Sequence, residues 1–203
     1  MPNYAIKRDL RENTGFKSNI GRVGPLFWLL GLGSKNMDTA TTIEKLVSLL
    51  IAMNETDGTL VGVDGFDGTG KTTLAFKLAN ELSGIRVGLD CYVEKEREAE
   101  RYVGLLRLED LARDISRLLR CFPYVVVDGV CLSEALSAIG ITPKKIVYVK
   151  KTSLLGLWHK GFDLQNYLAG STADSWLENS ILSYHQHYQP HVTAAVCYSW
   201  TEA

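Results

Sequence analysis

Two kinds of hydrophobic pattern alternate along the chain from about residue 43 onward. Five short runs are rich in strand-forming apolar residues, and one of them, YVVVD at 124–128, is nearly all apolar, as is typical of a strand covered on both faces of a sheet. These runs are TLVGVD at 59–64, IRVGLD at 85–90, YVVVD at 124–128, KKIVYVK at 144–150 and TAAVCYSW at 193–200. Because each run is followed or preceded by a helical pattern, the sequence predicts a parallel α/β sheet with helices on both faces.

Segments with apolar residues at helical spacing separate these strands. They are TIEKLVSLLIAM at 42–53, GKTTLAFKLANEL at 70–82, the long charged region 94–120, a short segment at 133–139 and SWLENSILSYHQHY at 175–188. Within the charged region, EKEREAER at 94–101 has the composition of a solvent-exposed helix face with charges paired one turn apart. We therefore predict a helix from that region onward.

Composition limits the class of protein. The 203 residues carry 22 Lys and Arg against 23 Asp and Glu, and 46% of them are hydrophobic. A balanced charge gives no general attraction to nucleic acid or to a membrane surface, so we expect neither as a partner. The four cysteines form no C-x-x-C pair, which favours four buried free thiols in a reducing compartment and predicts a cytoplasmic protein.

The first forty residues differ from the rest. Basic residues precede an apolar run, PLFWLLGLG at 25–33. This run is too short to span a bilayer, and no small-x-small cleavage site follows it. We predict an N-terminal extension at 1–40 that packs on the domain or on a partner subunit, and a single catalytic domain at 41–203. The sequence leaves a homo-oligomer open.

The stretch between the first strand and the next helix carries the strongest chemical signal. DGFDGTGKTT at 64–73 fits G-x-x-x-x-G-K-[ST], a loop whose backbone N–H groups cradle phosphates. The residues expected to contact a nucleotide are Gly65, Phe66, Asp67, Gly68, Thr69, Gly70, Lys71, Thr72 and Thr73. Lys71 would bridge the outer phosphates and the Thr72 hydroxyl would reach Mg²⁺. A glycine-rich turn that matches by chance is the alternative, and the flanking strand and helix disfavour it.

Acidic residues follow three of the predicted strands. Asp64, Asp90 and Asp128 each end an apolar run. Ligands of parallel α/β sheets bind at the carboxyl ends of strands, where one carboxylate could accept a proton and another could help to hold Mg²⁺. Each aspartate could also cap a turn, but three beside a phosphate loop favour function.

Four segments in this order resemble the uridine kinase and phosphoribulokinase group of P-loop kinases. They are VGVDGFDGTGKTTLA, GLDCY, VVVDGVCLSEAL and YHQHYQPHVTAAVCY, and the resemblance covers roughly residues 43–200. It implies a three-layer P-loop NTPase fold with a five-stranded parallel sheet, in the order second, third, first, fourth, fifth, and a short lid segment. It also implies that ATP and Mg²⁺ are the cofactors.

The resemblance assigns roles to individual residues. Asp90 falls on the general base for the acceptor hydroxyl, and Tyr92 on a residue that lines the acceptor pocket. Asp128 falls on the acidic residue that assists Mg²⁺ or the acceptor. With Lys71, the two aspartates form the predicted catalytic set, while Thr72 and Asp128 form the predicted metal site.

Two departures from this family affect the predicted chemistry. The lid segment, residues 150–170, contains no arginine, and its cations are Lys150, Lys151, His159 and Lys160. Lysine neutralises charge but lacks the planar bidentate fork of arginine. Three alternatives follow: a lysine substitutes, an arginine arrives from elsewhere, such as Arg97 or Arg101, or turnover is slow. The residues after Cys91 do not match the nucleoside-contacting stretch of uridine kinases, which leaves the acceptor open.

The function predicted from sequence is transfer of the terminal phosphate of Mg-ATP to a hydroxyl of a small molecule, nucleoside-like or other. An alternative from another class is a nucleotide-binding regulatory or interaction module with weak or no turnover. A kinase acting on a nucleotide or a polynucleotide end is a further enzymatic alternative. The sequence offers no basic stripe for a long phosphate backbone, which disfavours a polynucleotide.

Overall fold

A six-stranded parallel sheet forms the centre of the computed structural model, which describes residues 37–53, 58–143 and 145–202. Its strands are β1 (Asp38–Ala40), β2 (Thr59–Asp64), β3 (Ile85–Gly88), β4 (Tyr124–Asp128), β5 (Lys145–Thr152) and β6 (Val196–Thr201). Their order across the sheet is β1-β6-β5-β2-β4-β3, and every neighbouring pair is parallel. The predicted parallel α/β architecture and the order of the five predicted strands are confirmed.

The prediction of five strands is wrong, because β1 adds a sixth at the edge. Asp38 pairs with Val196 and Ala40 with Tyr198. The sequence DTA has no apolar run, and only Ala40 is buried, so the hydrophobic pattern carried no strand signal. Backbone hydrogen bonds to β6 form this strand. It lies within the predicted extension at 1–40, of which residues 1–36 are outside the described residues.

Helices connect the successive strands of the sheet. They are α1 (Ile43–Ala52), α2 (Lys71–Glu81), α3 (Leu108–Leu118), α4 (Leu132–Ala138), α5 (Gly161–Leu168), α6 (Trp176–Tyr188) and α7 (Pro190–Thr193), with 3₁₀ helices at Leu89–Tyr92 and Tyr102–Leu105. The prediction of a helix from residue 94 is wrong, since α3 begins only at Leu108. Antiparallel pairing of Val93 with Leu106 holds the charged stretch in a loop instead.

Two hydrophobic clusters cover the two faces of the sheet. Helices α1 and α2 pack on one face through residues such as Leu46 and Leu78. Helices α3, α4 and α6 pack on the other through residues such as Leu111 and Leu132. Successive β4 valines point to opposite clusters, as a strand buried on both faces requires. The parallel arrangement brings the carboxyl ends of β2, β4 and β5 to one edge of the sheet.

Two further observations concern membrane-spanning helices and the cysteines. No helix within the described ranges is long and apolar enough to cross a membrane. The four cysteines are free, but the prediction that all four are buried is wrong: Cys131 and Cys197 are buried, while Cys91 and Cys121 are exposed.

Candidate phosphate-binding site

The glycine-rich loop turns sharply between the end of β2 and the start of α2. Gly65, Gly68 and Gly70 have φ values of 150°, 67° and 86°, a region that other residues rarely adopt. A Cβ on Gly65 would lie 2.8 Å from the carbonyl oxygen of Val149 on β5. Glycine is therefore required at Gly65 both by its backbone conformation and by the close approach of a neighbouring strand.

Lys71, at the start of α2, is buried in this loop. Its ammonium group donates a hydrogen bond of 2.6 Å to the carbonyl oxygen of Phe66. Burial lowers the pKa of Lys71, while nearby carboxylates, Asp64 first, act in the opposite direction. The ammonium group thus lies inside the curve of the loop, where its one hydrogen bond to the protein leaves donors for an anion.

Two further side chains fix the shape of the loop. The Thr69 hydroxyl donates to the carbonyl oxygen of Phe66 at 2.7 Å. The Trp200 indole, at the end of β6, donates to the carbonyl oxygen of Thr69 at 2.8 Å. Sequence reasoning missed Trp200 because it lies 131 residues from Thr69 and belongs to no motif. The loop residues Asp67 and Gly68 are exposed, as are Thr72 and Thr73 in the first turn of α2.

Asp128 links three elements at the carboxyl edge of the sheet. The carboxylate accepts a hydrogen bond of 3.1 Å from Thr72 on α2. It also accepts two hydrogen bonds from Arg86 on β3, of 2.6 Å and 2.9 Å. Thr72 and Asp128, the two residues predicted to organise Mg²⁺, are therefore in contact. Their oxygens are the ligand type that Mg²⁺ prefers, so the donor set fits this cation.

Arg86 is the second residue that sequence reasoning missed. Its guanidinium group lies 4.4 Å from the centre of the Phe76 ring on α2, and its side chain is only 17% exposed. A charged residue in the otherwise apolar run IRVGLD was the signal that could have identified it, because a buried charge requires a partner. That partner is Asp128.

Asp90 lies just beyond the end of β3, in the first 3₁₀ helix, and is exposed. It accepts a hydrogen bond of 3.0 Å from the hydroxyl of Tyr102. Burial and the charge of Asp90 raise the pKa of Tyr102 well above its ordinary value, so this hydroxyl stays protonated and acts as a donor. The backbone N–H of Tyr102 donates to Ser180 on α6, which fixes the donor next to Asp90.

Tyr92 is oriented away from this carboxylate. Its hydroxyl donates to Asp114 on α3 at 2.9 Å, and burial together with this hydrogen bond raises the pKa of Tyr92 to about 12. Tyr92 lines a cavity of about 520 Å³ beside β3 and α3, together with Arg86. Asp90 is not among the residues that line this cavity. The roles of Tyr92 and Asp90 in an acceptor pocket stay predictions.

Asp64, the third strand-end aspartate, is completely buried. It accepts hydrogen bonds from the backbone N–H of Gly65 at 2.7 Å and from the hydroxyl of Tyr184 on α6. Burial raises the pKa of Asp64 to about 6, against the opposing effect of these donors and of Lys71. Because it is enclosed, Asp64 supports the base of the loop and is not accessible to a ligand.

Phe66 of the loop stacks on a buried histidine. The ring of His185 on α6 lies parallel to Phe66, with centroids 3.8 Å apart, and burial lowers the pKa of His185 to about 3. The spacing of His185, His187 and His191, interrupted by Pro190, matches no common zinc pattern and predicts solvent-facing or helix-end histidines. His185 does lie in the last turn of α6, but it is buried, and its Nδ1 lies 2.8 Å from the carbonyl oxygen of Ile181.

The cations considered as substitutes for a lid arginine are mostly paired with carboxylates. Lys151 contacts Glu202 at 2.7 Å. Lys160 contacts Asp163 at 3.0 Å and Glu178 at 3.1 Å. The two arginines considered as substitutes from outside the lid are paired as well. Arg97 contacts Glu94 at 3.3 Å, and Arg101 contacts Glu134 at 3.2 Å.

The arrangement of strands and helices resembles that of one solved structure in particular. The chain is similar to "a Possible Uridine Kinase from Bacillus stearothermophilus", with 15% sequence identity over 77% of this chain and 96% of that chain, at a TM-score of 0.50. A thymidylate kinase from Ehrlichia chaffeensis matches with 14% identity over 72% of this chain and 90% of that chain, at a TM-score of 0.41. The first likeness shows that the chain has the fold of P-loop kinases, and at this identity it shows the fold alone.

Comparison at the level of sequence gives no family. No protein-family model and no curated protein matches the chain. Membership of the uridine kinase and phosphoribulokinase group therefore stays a prediction.

The close approach of Gly65 to β5 predicts how the loop responds to an added methyl group. Gly65→Ala should lower the affinity for ATP by at least about tenfold, because the Cβ would displace the loop from Val149. Titration with a fluorescent ATP analogue measures the change. Gly68→Ala is the matched control: its φ is also positive, but nothing lies within 4 Å of the added Cβ. Equal losses in the two variants would contradict the steric explanation.

The raised pKa of Asp64 predicts a pH dependence of stability. The ordinary pKa of this carboxyl group is 3.8, and in the folded protein it is about 6. Between these two pH values, folded Asp64 keeps a proton that the unfolded chain has released. The stabilising contribution is therefore complete below about pH 4 and is lost as the pH rises through about 6, a loss on the order of 3 kcal/mol.

Asp64→Asn should remove this dependence, since an amide does not titrate. The free energy of unfolding, measured with urea from about pH 4 to about pH 8, should fall less steeply in this variant. Asp174→Asn, at an exposed position, is the control. Identical pH profiles for Asp64→Asn and the unmodified protein would refute the prediction.

Proposed function

We propose that the protein is a magnesium-dependent phosphotransferase that moves the terminal phosphate of ATP to a hydroxyl of a small molecule. The observation that carries this proposal is the contact of Thr72 with Asp128 beside a glycine-rich loop that encloses Lys71. A loop alone would support nucleotide binding. The carboxylates of Asp128 and Asp90 at the same edge of the sheet add groups suited to transfer.

The loop would bind the phosphates through backbone N–H groups and the amino end of α2. Lys71 would exchange its hydrogen bond to Phe66 for the oxygens between the outer two phosphates, while Thr73 would contact an inner phosphate. Because the Lys71 side chain is buried, its interaction with phosphate oxygens would be stronger than in solution. The residues assigned to nucleotide binding are those of the loop, 65–73.

Thr72 and Asp128 would hold Mg²⁺, directly or through its water molecules. When bound, this cation neutralises charge that develops on the phosphate oxygens during transfer. Arg86 donates to both carboxylate oxygens of Asp128 and thereby fixes the carboxylate beside Thr72, which donates to the same group. In this proposal the Asp128 carboxylate binds Arg86 and, together with Thr72, the predicted cation.

Asp90 would accept the proton of the acceptor hydroxyl. As that oxygen forms its bond to the terminal phosphorus, the bond from phosphorus to the bridging oxygen breaks, and ADP leaves with the electron pair. Tyr102 donates to Asp90 and orients its second oxygen for this proton. In this proposal Tyr92 lines the acceptor pocket, and the protein acts in the cytoplasm.

A nucleotide-binding module without efficient transfer is the second candidate. The observation that favours it is the pairing of Lys151, Lys160, Arg97 and Arg101 with carboxylates, which leaves these cations less available to the transferred phosphate. Magnesium-dependent ADP release separates the two candidates. Tight ATP binding, without release that rises on addition of any pooled nucleosides, sugars or other alcohols, would favour the module.

The proposed base predicts a selective kinetic defect. Asp90→Asn should keep the affinity for ATP and reduce turnover by a factor of about 10² to 10⁴, the usual range for a lost general base. Glu98→Gln, at an exposed position of the following loop, is the matched control and should leave turnover unchanged. Turnover of Asp90→Asn within twofold of the unmodified enzyme would remove Asp90 from this role.

The loop lysine predicts a combined defect. Lys71→Ala should weaken ATP binding and reduce turnover together, because the ammonium group contacts phosphates in both the ground state and the transition state. Calorimetric titration gives the affinity and product mass analysis gives the rate. The exposed Lys77→Ala, on the same helix, is the control. Retention of both properties in Lys71→Ala would overturn the assignment of the loop.

A further inference from the structure

A cavity of about 450 Å³ lies between the lid segment and α6. This volume is within the usual range for small-molecule sites. Its walls come from three places: the lid turn with Trp158, helix α5 with Leu164 and Leu168, and helix α6 with His185. The cavity is separate from the phosphate loop, since none of the residues 65–73 lines it.

The mouth of this lid cavity is apolar and open. Among the residues that line it, Leu157 is 48% exposed, Phe162 57% and Leu168 51%. Exposed large apolar side chains that cluster around a concavity are typical of a binding surface. The indole Nε1–H of Trp158 is buried and has no hydrogen-bond partner among the residues that the structure describes. A ligand with an apolar body and an acceptor atom would satisfy both features.

Among the described residues that line the cavity, Lys150, at the end of β5, is the only charged one. Its ammonium group lies 5.0 Å from the centre of the Trp158 ring, and it forms no ion pair with a carboxylate of the described ranges, unlike Lys151 and Lys160. No aspartate or glutamate is among the lining residues. The cavity therefore has one cation and no anion to balance it.

The other polar groups in the wall do not alter this charge. Burial lowers the pKa of His185 to about 3 and that of His191 to about 4, so both imidazoles are neutral near pH 7. The remaining polar lining residues are Gln165, Gln186 and Gln189, which are neutral donors and acceptors. Thus the site is positive by one charge at neutral pH.

We propose that the lid cavity binds a small organic anion with an apolar, aromatic body, whose negative charge is paired with Lys150. The aromatic body packs between Trp158, Phe162 and Leu168, and Trp158 also offers its indole N–H. This inference goes beyond the proposed phosphotransfer and does not depend on it. The stacked Phe66 and His185 rings separate the site from the phosphate loop, so both ligands can bind together.

A series of three naphthalene compounds tests the proposal on the full chain. 2-Naphthoate, 2-naphthamide and 2-naphthylmethylamine share an aromatic body and differ in charge. Isothermal titration should show that the carboxylate binds about tenfold more tightly than the amide, with the amine weakest, since a charge-assisted hydrogen bond is gained only by the anion. Equal affinities for carboxylate and amide would overturn the proposal, as would no binding of the carboxylate.

Variants at Lys150 separate charge from folding. Lys150→Gln should lower naphthoate affinity about tenfold and abolish its advantage over the amide, whereas Lys150→Arg should retain most of it. Lys77→Gln, an exposed lysine on α2, is the control. Thermal unfolding of each variant verifies the fold. Unchanged naphthoate affinity in a folded Lys150→Gln variant would refute the role of Lys150.

A second pair of variants tests the location. Leu168→Glu adds a negative charge at the mouth of the cavity and should weaken naphthoate binding, while Leu155→Glu, 86% exposed in the lid turn and outside the cavity lining, should not. Equal effects of the two variants would place the probe elsewhere.

Loss of naphthoate binding in saturating Mg-ATP would show that the two sites overlap, which overturns a separate site. Loss of binding as protein concentration rises would assign the cavity to a contact between copies of the chain and would also overturn the proposal.

Discussion

The carboxylate of Asp128 is the junction on which the candidate site depends. It receives a hydrogen bond from α2 through Thr72 and two from β3 through Arg86, while its own backbone ends β4. Three elements that are distant in sequence are thereby fixed at one point beside the loop. A bidentate guanidinium pair has a defined plane, so it also fixes the direction in which the remaining lone pairs of the carboxylate point.

The base of the loop depends on a second buried carboxylate. Asp64 binds the first loop N–H and the hydroxyl of Tyr184, and this connects the loop to α6 on the far side of the sheet. Burying a carboxyl group is unfavourable unless it is well hydrogen-bonded, and the raised pKa of Asp64 shows that burial outweighs its hydrogen bonds. The positive charge of Lys71 nearby offsets part of this cost.

The features that could be predicted from the sequence are those that depend on hydrophobic periodicity and on short motifs. The strand alternation and the position of the glycine loop follow from periodicity and motif spacing, whereas the order of five strands was implied by the resemblance to P-loop kinases; the structure has all three. Contacts that depend on packing at long range were not predictable: Trp200 on Thr69, Tyr184 on Asp64 and the stacking of His185 each join residues far apart in the chain. The edge strand β1 was missed because backbone pairing, and not an apolar run, forms it.

Charge accounts for the relation between the phosphate site and the lid cavity. At the loop, Lys71 and Arg86 already face the carboxylates of Asp64 and Asp128, so the proposed nucleotide would bring its own cation and keep the site near neutrality. In the lid cavity Lys150 faces no carboxylate of the described residues, so an anion there needs no accompanying cation. The two regions therefore differ in the charge of the ligand that each can accept, although Phe66 and His185 place them side by side.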